Sequence, residues 1–289
     1  MKTTGIFTLS KYEIPFKKYG DTVLLRPFGD IHRFAPLHHK QKWQEWLETC
    51  SKEPNAYFLG MGDYFDLGST SERAILNNRN IHDSTKQTLD DLYRDNVNKM
   101  AKEMSFMKGR LIGLIEGNHY AELVSGITTT QLLCEKLDCK YLGVSAFIRI
   151  LLNKVNSQAH AIDVWAHHGL GGGRTAGASI NKIENMIKAA NADIYLMAHD
   201  HKKHIAMQSR LRLNEGGGNL ALENRKIIMA RTGSFLCGYV DGEASYIADG
   251  AYSPVDLGTV TIRMTPTRTT KTENGKRIDK RRVEMRASL

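Results

Sequence analysis

Five apolar segments of this 289-residue chain stop in side chains able to hold a cation. "LLRPFGDIH" ends in Asp30 and His32, "AYFLGMGD" in Asp63, and "RLIGLIEGNH" in Asn118 and His119. "AIDVWAHH" ends in His167 and His168, and "DIYLMAHDH" in His199 and His201. Taken singly, each has an ordinary explanation: Asp or Asn after a strand forms turns, and a lone His is commonly a hydrogen-bonded core residue. As a set they ask for metal. Several imidazoles and carboxylates converging in one cleft without a cation would leave buried charges unpaired, at a cost of roughly several kcal/mol. Imidazole, carboxylate and amide oxygen suit Mn, Fe, Zn, Ni or Co; a soft metal would call for thiolates, and calcium for more oxygens. About seven candidate ligands exceed one tetrahedral site and fit two ions roughly 3.5–4 Å apart that share a carboxylate. Asp63, from the middle of the order, is the natural bridge.

The elements that must bring these residues together alternate. "TVLLRPFGD" reads as a strand, "PLHHKQKWQEWLETCSK" as a helix, "AYFLGMGD" as a strand and "STKQTLDDLYRDNVNKMAKEMSFMK" as a helix. "RLIGLIEGN" is a strand, "TTTQLLCEKL" a helix, "AIDVWAHH" a strand, "GASINKIENMIKAANA" a helix and "DIYLMAHDH" a strand, with a mostly β region over about 226–264. Such alternation implies an α/β core, in which ligands collect beyond the carboxyl ends of strands. No repeat or Pro/Gly/Ser linker divides the chain, so one domain over 1–265 with a basic tail over 266–289 is the economical division.

These motifs resemble those of the calcineurin-like metallophosphoesterase superfamily: DxH, GDxxD, GNH, a histidine, and HxH. Here they stand as Asp30-Ile31-His32, Gly62-Asp63-Tyr64-Phe65-Asp66, Gly117-Asn118-His119, the His167-His168 pair and His199-Asp200-His201, over roughly Val23 to His201. The resemblance implies a four-layer sandwich of two packed mixed β-sheets flanked by helices. It implies one divalent metal on Asp30, His32, Asp63 and His201, and a second on Asp63, Asn118, His168 and His199, with Mn2+ the first choice and Fe, Zn, Ni or Co as others. The fourth motif is ambiguous because adjacent residues of a strand point to opposite sides. His168 is chosen because "HGLGGGR" resembles the run in phage-type members of the family, and His167 is held in reserve. The family further implies a metal-activated bridging hydroxide that attacks phosphorus in line, with His119 protonating the leaving oxygen. Asp66 is read as orienting a ligand histidine. Where many members follow GNH with an acidic residue, Tyr120 stands here, and Glu122 is the substitute expected to tune His119.

Other features are weighed against plainer readings. Arg174, in the glycine-rich run after His168, would clamp a phosphate oxygen or serve as a surface arginine. Lys202, Lys203, His204, Arg210 and Arg212 form either a basic rim or ordinary surface charge. The segment 67–87, with Arg73, Arg79, His82 and Asp83, reads as a solvated helical excursion, and Trp43, Trp46 and Leu47, like Met100, Met104 and Met107, as helix packing. The net charge of +9 favours polyanionic partners, nucleic acid or nucleotides. The end of the chain is a solvated tail or a nucleic-acid arm. Four scattered cysteines suggest reduced thiols, and no apolar run is long enough to span a bilayer or mark a secretory leader, so a cytoplasmic protein without membrane contact is expected. The function expected is a phosphodiesterase or nuclease. A phosphomonoesterase acting on nucleotides or proteins shares the chemistry, and a non-catalytic scaffold of the same fold would be expected to lack ligands.

Overall fold

The structure is a computed structural model that describes residues 5–67, 82–171, 173, 175–213, 220–273 and 276–289, with only the backbone of 246 and 271–280. Two mixed sheets form its centre. The first joins β1 (Phe7–Pro15), β5 (Ser145–Asn153), β6 (His160–His167), β7 (Ile194–Met197), β9 (Leu222–Ser234) and β10 (Gly258–Thr259) in that order, with β8 (Lys203–Leu213) also paired to β9. The second runs β12 (Lys276–Ser288), β11 (Thr261–Glu273), β2 (Val23–Phe28), β3 (Ala56–Gly60) and β4 (Leu111–Leu114). β2, β3 and β4 are parallel, as are β6, β7 and β9, so each sheet gathers several carboxyl ends on one edge.

Continuous apolar runs make these strands buried on both faces. Leu25, Leu59, Ile112, Ile148, Val164, Leu196, Ile228 and Ile262 fill the space between the sheets. Phe28, Phe58 and Leu114 face helices α1 (Lys40–Ser51), α2 (Asp83–Glu103) and α3 (Thr129–Leu137) through Trp43, Val97, Met100 and Leu133. On the opposite side Tyr195 and Met229 meet Ile183 and Met186 of α4 (Ala176–Ala189). The result is helices, sheet, sheet, helix, the four layers expected. Trp43, stacked on Trp46 with ring centroids 5.2 Å apart, and Met100, Met104 and Met107 are packing residues. His82 caps α2, accepting from Ser84 N, whereas residues 68–81, with Arg73 and Arg79, lie outside the described set.

One sequence expectation needs correction. The chain over 266–289 is no tail: β11 and β12 pair antiparallel from Thr261↔Ser288 to Glu273↔Lys276, and β11 joins the second sheet through β2. Ile262, Met264 and Met285 anchor the hairpin in the core with Val283 and Ala287 packed against it, and beyond Met264 this short apolar pattern is outnumbered by Lys and Arg, which makes the segment read as a tail. The described cysteines are free thiols, with Cys50 and Cys134 buried. No helix among the described residues is long and apolar enough to cross a membrane.

Candidate metal centre

The loops that follow β2, β3, β4, β6 and β7 meet over the seam between the sheets. Backbone hydrogen bonds weld the first two together: Asp30 N donates to Gly62 O at 2.9 Å, and Ile31 N and His32 N donate to Asp63 O at 2.8 and 3.0 Å. Glycine is required where the loops touch, since a Cβ on Gly62 would overlap the His168 ring and one on Gly117 would overlap the Asp63 carboxylate. The backbone here is strained. Of nine described non-glycine residues with positive φ, five are Asp30, His32, Asp63, His199 and His201, a conformation that costs of order 1–3 kcal/mol each and gathers at functional sites.

Each carboxylate is held by one oxygen and turns the other inward. Asp30 Oδ2 accepts from His199 N at 2.9 Å, leaving the buried Oδ1 without a hydrogen-bond partner, 3.8 Å from His201 Nε2. Asp63 Oδ1 accepts from His119 N at 2.9 Å, while Oδ2 lies 3.2 Å from His168 Nε2 and 3.8 Å from His32 Nε2. His32 Nε2 and His201 Nε2 face one another at 3.2 Å. Across Asp63, Asn118 Oδ1 is 2.9 Å from His199 Nδ1 and 3.1 Å from His168 Nε2, and those two nitrogens are 3.3 Å apart. Donors that share one ion, each about 2.1 Å from it, sit roughly 3.0–3.5 Å from one another. The pairs His32–His201, His168–His199 and Asp63–His168 have that spacing, while Asp30–His201 and Asp63–His32 are wider at 3.8 Å. His168 Nδ1–H donates to Met61 O at 2.8 Å, which leaves its Nε2 lone pair aimed at the cluster. Among the described residues the donors fall into three groups: Asp30, His32 and His201; Asp63, His168 and His199; and, at the rim, His32, Asp66 and His119.

The electrostatics describe a site of mutually dependent charges. Burial raises Asp30 to about 8, reinforced by Asp63 and opposed by His168. Burial also raises Asp63, yet the His168 ring outweighs it and holds that carboxyl well below the usual range, while Asp63 in turn lifts His168 to about 9 against burial. Burial lowers His32 and His199 to about 4 and His201 well below its ordinary value. His32, His199 and His201 are thereby held as neutral imidazoles, the form that binds cations, whereas Asp30 and His168 are shifted toward their protonated forms, whose protons a bound cation would displace.

His119 stands at the rim, its ring centroid 4.7 Å from that of His32, and its Nδ1–H donates to Asp66 Oδ1 at 2.7 Å. Burial lowers its pKa, but the Asp66 hydrogen bond and the Asp63 charge more than compensate, so the net shift is upward. Asp66, not Glu122, therefore supplies the carboxylate for His119; Glu122 is exposed and pairs through its backbone with Thr128. His168 points into the cluster, whereas His167 turns aside and accepts from Gly169 N at 2.7 Å. Arg174 lies outside the described residues. Of the residues weighed as a basic rim or ordinary surface charge, Lys203 pairs with Asp256 at 2.8 Å, Arg212 with Glu223 at 3.5 Å, Arg210 with Asn191, and Lys202 with the Gly173 carbonyl.

The sequence reading passed over Arg231. Its guanidinium, 1% exposed, pairs with Asp200 at 2.8 Å and donates to Ala198 O at 2.8 Å and to Ser179 Oγ at 3.1 Å, while Ser179 Oγ donates to Asp200 at 2.5 Å. The residue between His199 and His201 is thus clamped from beneath. An arginine inside the apolar run "KIIMARTGSF" was the available signal, because a buried charge requires a buried partner.

No protein-family model matches the chain, and no curated protein does. Solved structures similar to it include a single mutant of Vps29 from Entamoeba histolytica, 11% identical, covering 91% of this chain and 99% of that one, with a TM-score of 0.36. A double mutant of the same protein is 14% identical with the same coverage and a TM-score of 0.33.

Proposed function

We propose that the chain is a metal-dependent phosphoesterase, with Asp30, His32, Asp63 and His201 holding one divalent cation and Asp63, Asn118, His168 and His199 a second. The observation that carries this reading is the inward-facing donor set itself: a buried Asp30 oxygen without a hydrogen-bond partner, imidazole nitrogens 3.2–3.3 Å apart, and a strained backbone that holds them there. The nitrogen and oxygen set, without thiolate, fits Mn2+, and Fe, Zn, Ni or Co as well. When bound, two such ions supply Lewis-acid activation of water and neutralise phosphate oxygens.

The chain's own residues do the rest. Asp63 presents the same Oδ2 to both groups, and its Oδ1, held by His119 N, fixes the carboxylate between them. His119, its Nδ1–H directed at Asp66, keeps Nε2 for proton exchange, and the carboxylate shifts it toward the protonated form that an acid acting on a leaving oxygen requires. A phosphodiester is the preferred substrate class, nucleic acid or nucleotide, on the strength of the +9 net charge and the motif resemblance. Purified protein reconstituted with Mn2+ is to be assayed on bis-p-nitrophenyl phosphate and on the monoester, with metal content measured on the same sample. Retained metal with faster diester turnover supports the reading, faster monoester turnover moves the substrate to phosphomonoesters, and retention of none of the five metals overturns it.

A further inference from the structure

Most of the chain's charge excess lies away from the metal centre. From Thr261 to Leu289 there are nine Lys or Arg against three Asp or Glu, +6 of the total +9. β11 runs antiparallel to β2 and pairs with it only from Ile262 to Met264, opposite Leu25 to Val23. Since Asp30 follows the other end of β2, the hairpin leaves the sheet on the side remote from the cluster. From Pro266 to Glu273 the ribbon runs about 25 Å, at roughly 3.4 Å per residue.

Its register sets arginine against arginine twice, Arg263↔Arg286 and Arg268↔Arg281. Like charges directly opposite destabilise a strand pair, so folding alone gives no reason for them. By alternation Arg263, Arg282 and Arg286 share the face turned away from buried Met264 and Met285, and all three are exposed. Between them on that face stand Thr265, Thr267 and Glu284. The Arg286–Glu284 contact is 3.9 Å with both side chains more than half exposed, a distance and setting in which water screens the pair. On the opposite face Arg281 donates to Ser157 Oγ at 3.3 Å, which ties the ribbon to the loop between β5 and β6.

We propose that the outer face of the β11–β12 hairpin binds double-stranded nucleic acid through its phosphates. Guanidinium forks take phosphate oxygens bidentately, and a two-stranded ribbon has the dimensions of a groove. An anionic membrane is the poorer fit, because that face offers no apolar side chain among Arg263, Thr265, Thr267, Arg282, Glu284 and Arg286 to anchor in lipid. This binding is independent of sequence and of the metal centre.

The test is fluorescence anisotropy of a labelled DNA duplex in EDTA, titrated with salt, so that loss of hydrolysis cannot be mistaken for loss of binding. The variant R263S/R282S/R286S is expected to bind at least about tenfold more weakly, with a salt slope smaller by about 2.7, or roughly 0.9 for each phosphate contact removed. R263K/R282K/R286K keeps the slope, and both variants keep wild-type turnover of the bis-ester with Mn2+. Unchanged affinity and slope in the serine variant overturn the proposal, as does preference of the wild type for phosphatidylserine/phosphatidylcholine vesicles over the duplex. Should the serine variant fail to fold, a wild-type slope shallower than about −2 overturns it equally.

Discussion

The two ends of β2 show what one strand can support. Beyond Phe28, donor atoms are packed into a water-poor space with strained backbone, and each group's charge depends on its neighbours. Beyond Val23, the paired hairpin extends outward with arginines at exposed positions, where each acts nearly alone. Buried charge is cooperative and intolerant of loss, whereas exposed charge is additive and individually weak.

That contrast can be broken or sharpened by substitution. The largest effect is expected for Asp63→Asn, which removes the anion shared by both donor groups: bis-ester turnover should fall about a thousandfold or more and metal content should drop, measured on the same preparation. Next comes Arg231→Met, which leaves Asp200 buried and unpaired. Stability by urea denaturation should fall by about 3–5 kcal/mol, and metal affinity by roughly tenfold to a hundredfold, because the loop holding His199 and His201 loses its clamp.

Asp66→Asn should act more gently and in a pH-dependent way. The carboxylate raises His119 against burial, so a step needing protonated His119 proceeds below that raised pKa and fails as pH rises through it. Without the carboxylate burial prevails, and the alkaline limb of kcat/KM should move to lower pH, with about a tenfold loss at neutral pH. The smallest effect is expected at the far end. Arg286→Gln relieves the repulsion with Arg263 and should raise stability by about half a kcal/mol, leaving bis-ester turnover unchanged. A large loss there, or a small one at Arg231, would erase the distinction between the two ends.

The site was legible because its chemistry sits where strand periodicity stops: Asp30, Asp63, Asn118, His168 and His199 each follow an apolar run that marks its own end. Partnership was less legible. Spacing alone could not say that Asp66 reaches back to His119 across 53 positions, or that His168 faces inward while His167 does not. Arg231 was hidden because its partner Asp200 is remote in sequence and looked like filler between two histidines. β12 was hidden because its apolar alternation is confined to Val283, Met285 and Ala287, in a segment otherwise dominated by Arg, Lys and Glu. The left-handed backbone at His32, His199 and His201 was not readable either: histidine is among the residues enriched there, but most histidines adopt ordinary backbone, so residue type alone does not mark the position.

Gly62 and Gly117 carry a consequence for what can change in this protein over generations. Each lacks a side chain because the volume a methyl group would need already belongs to His168 or Asp63. Mutational drift at these two positions is therefore closed even to alanine, and a lineage could lose the geometry of the cluster without altering a single donor atom.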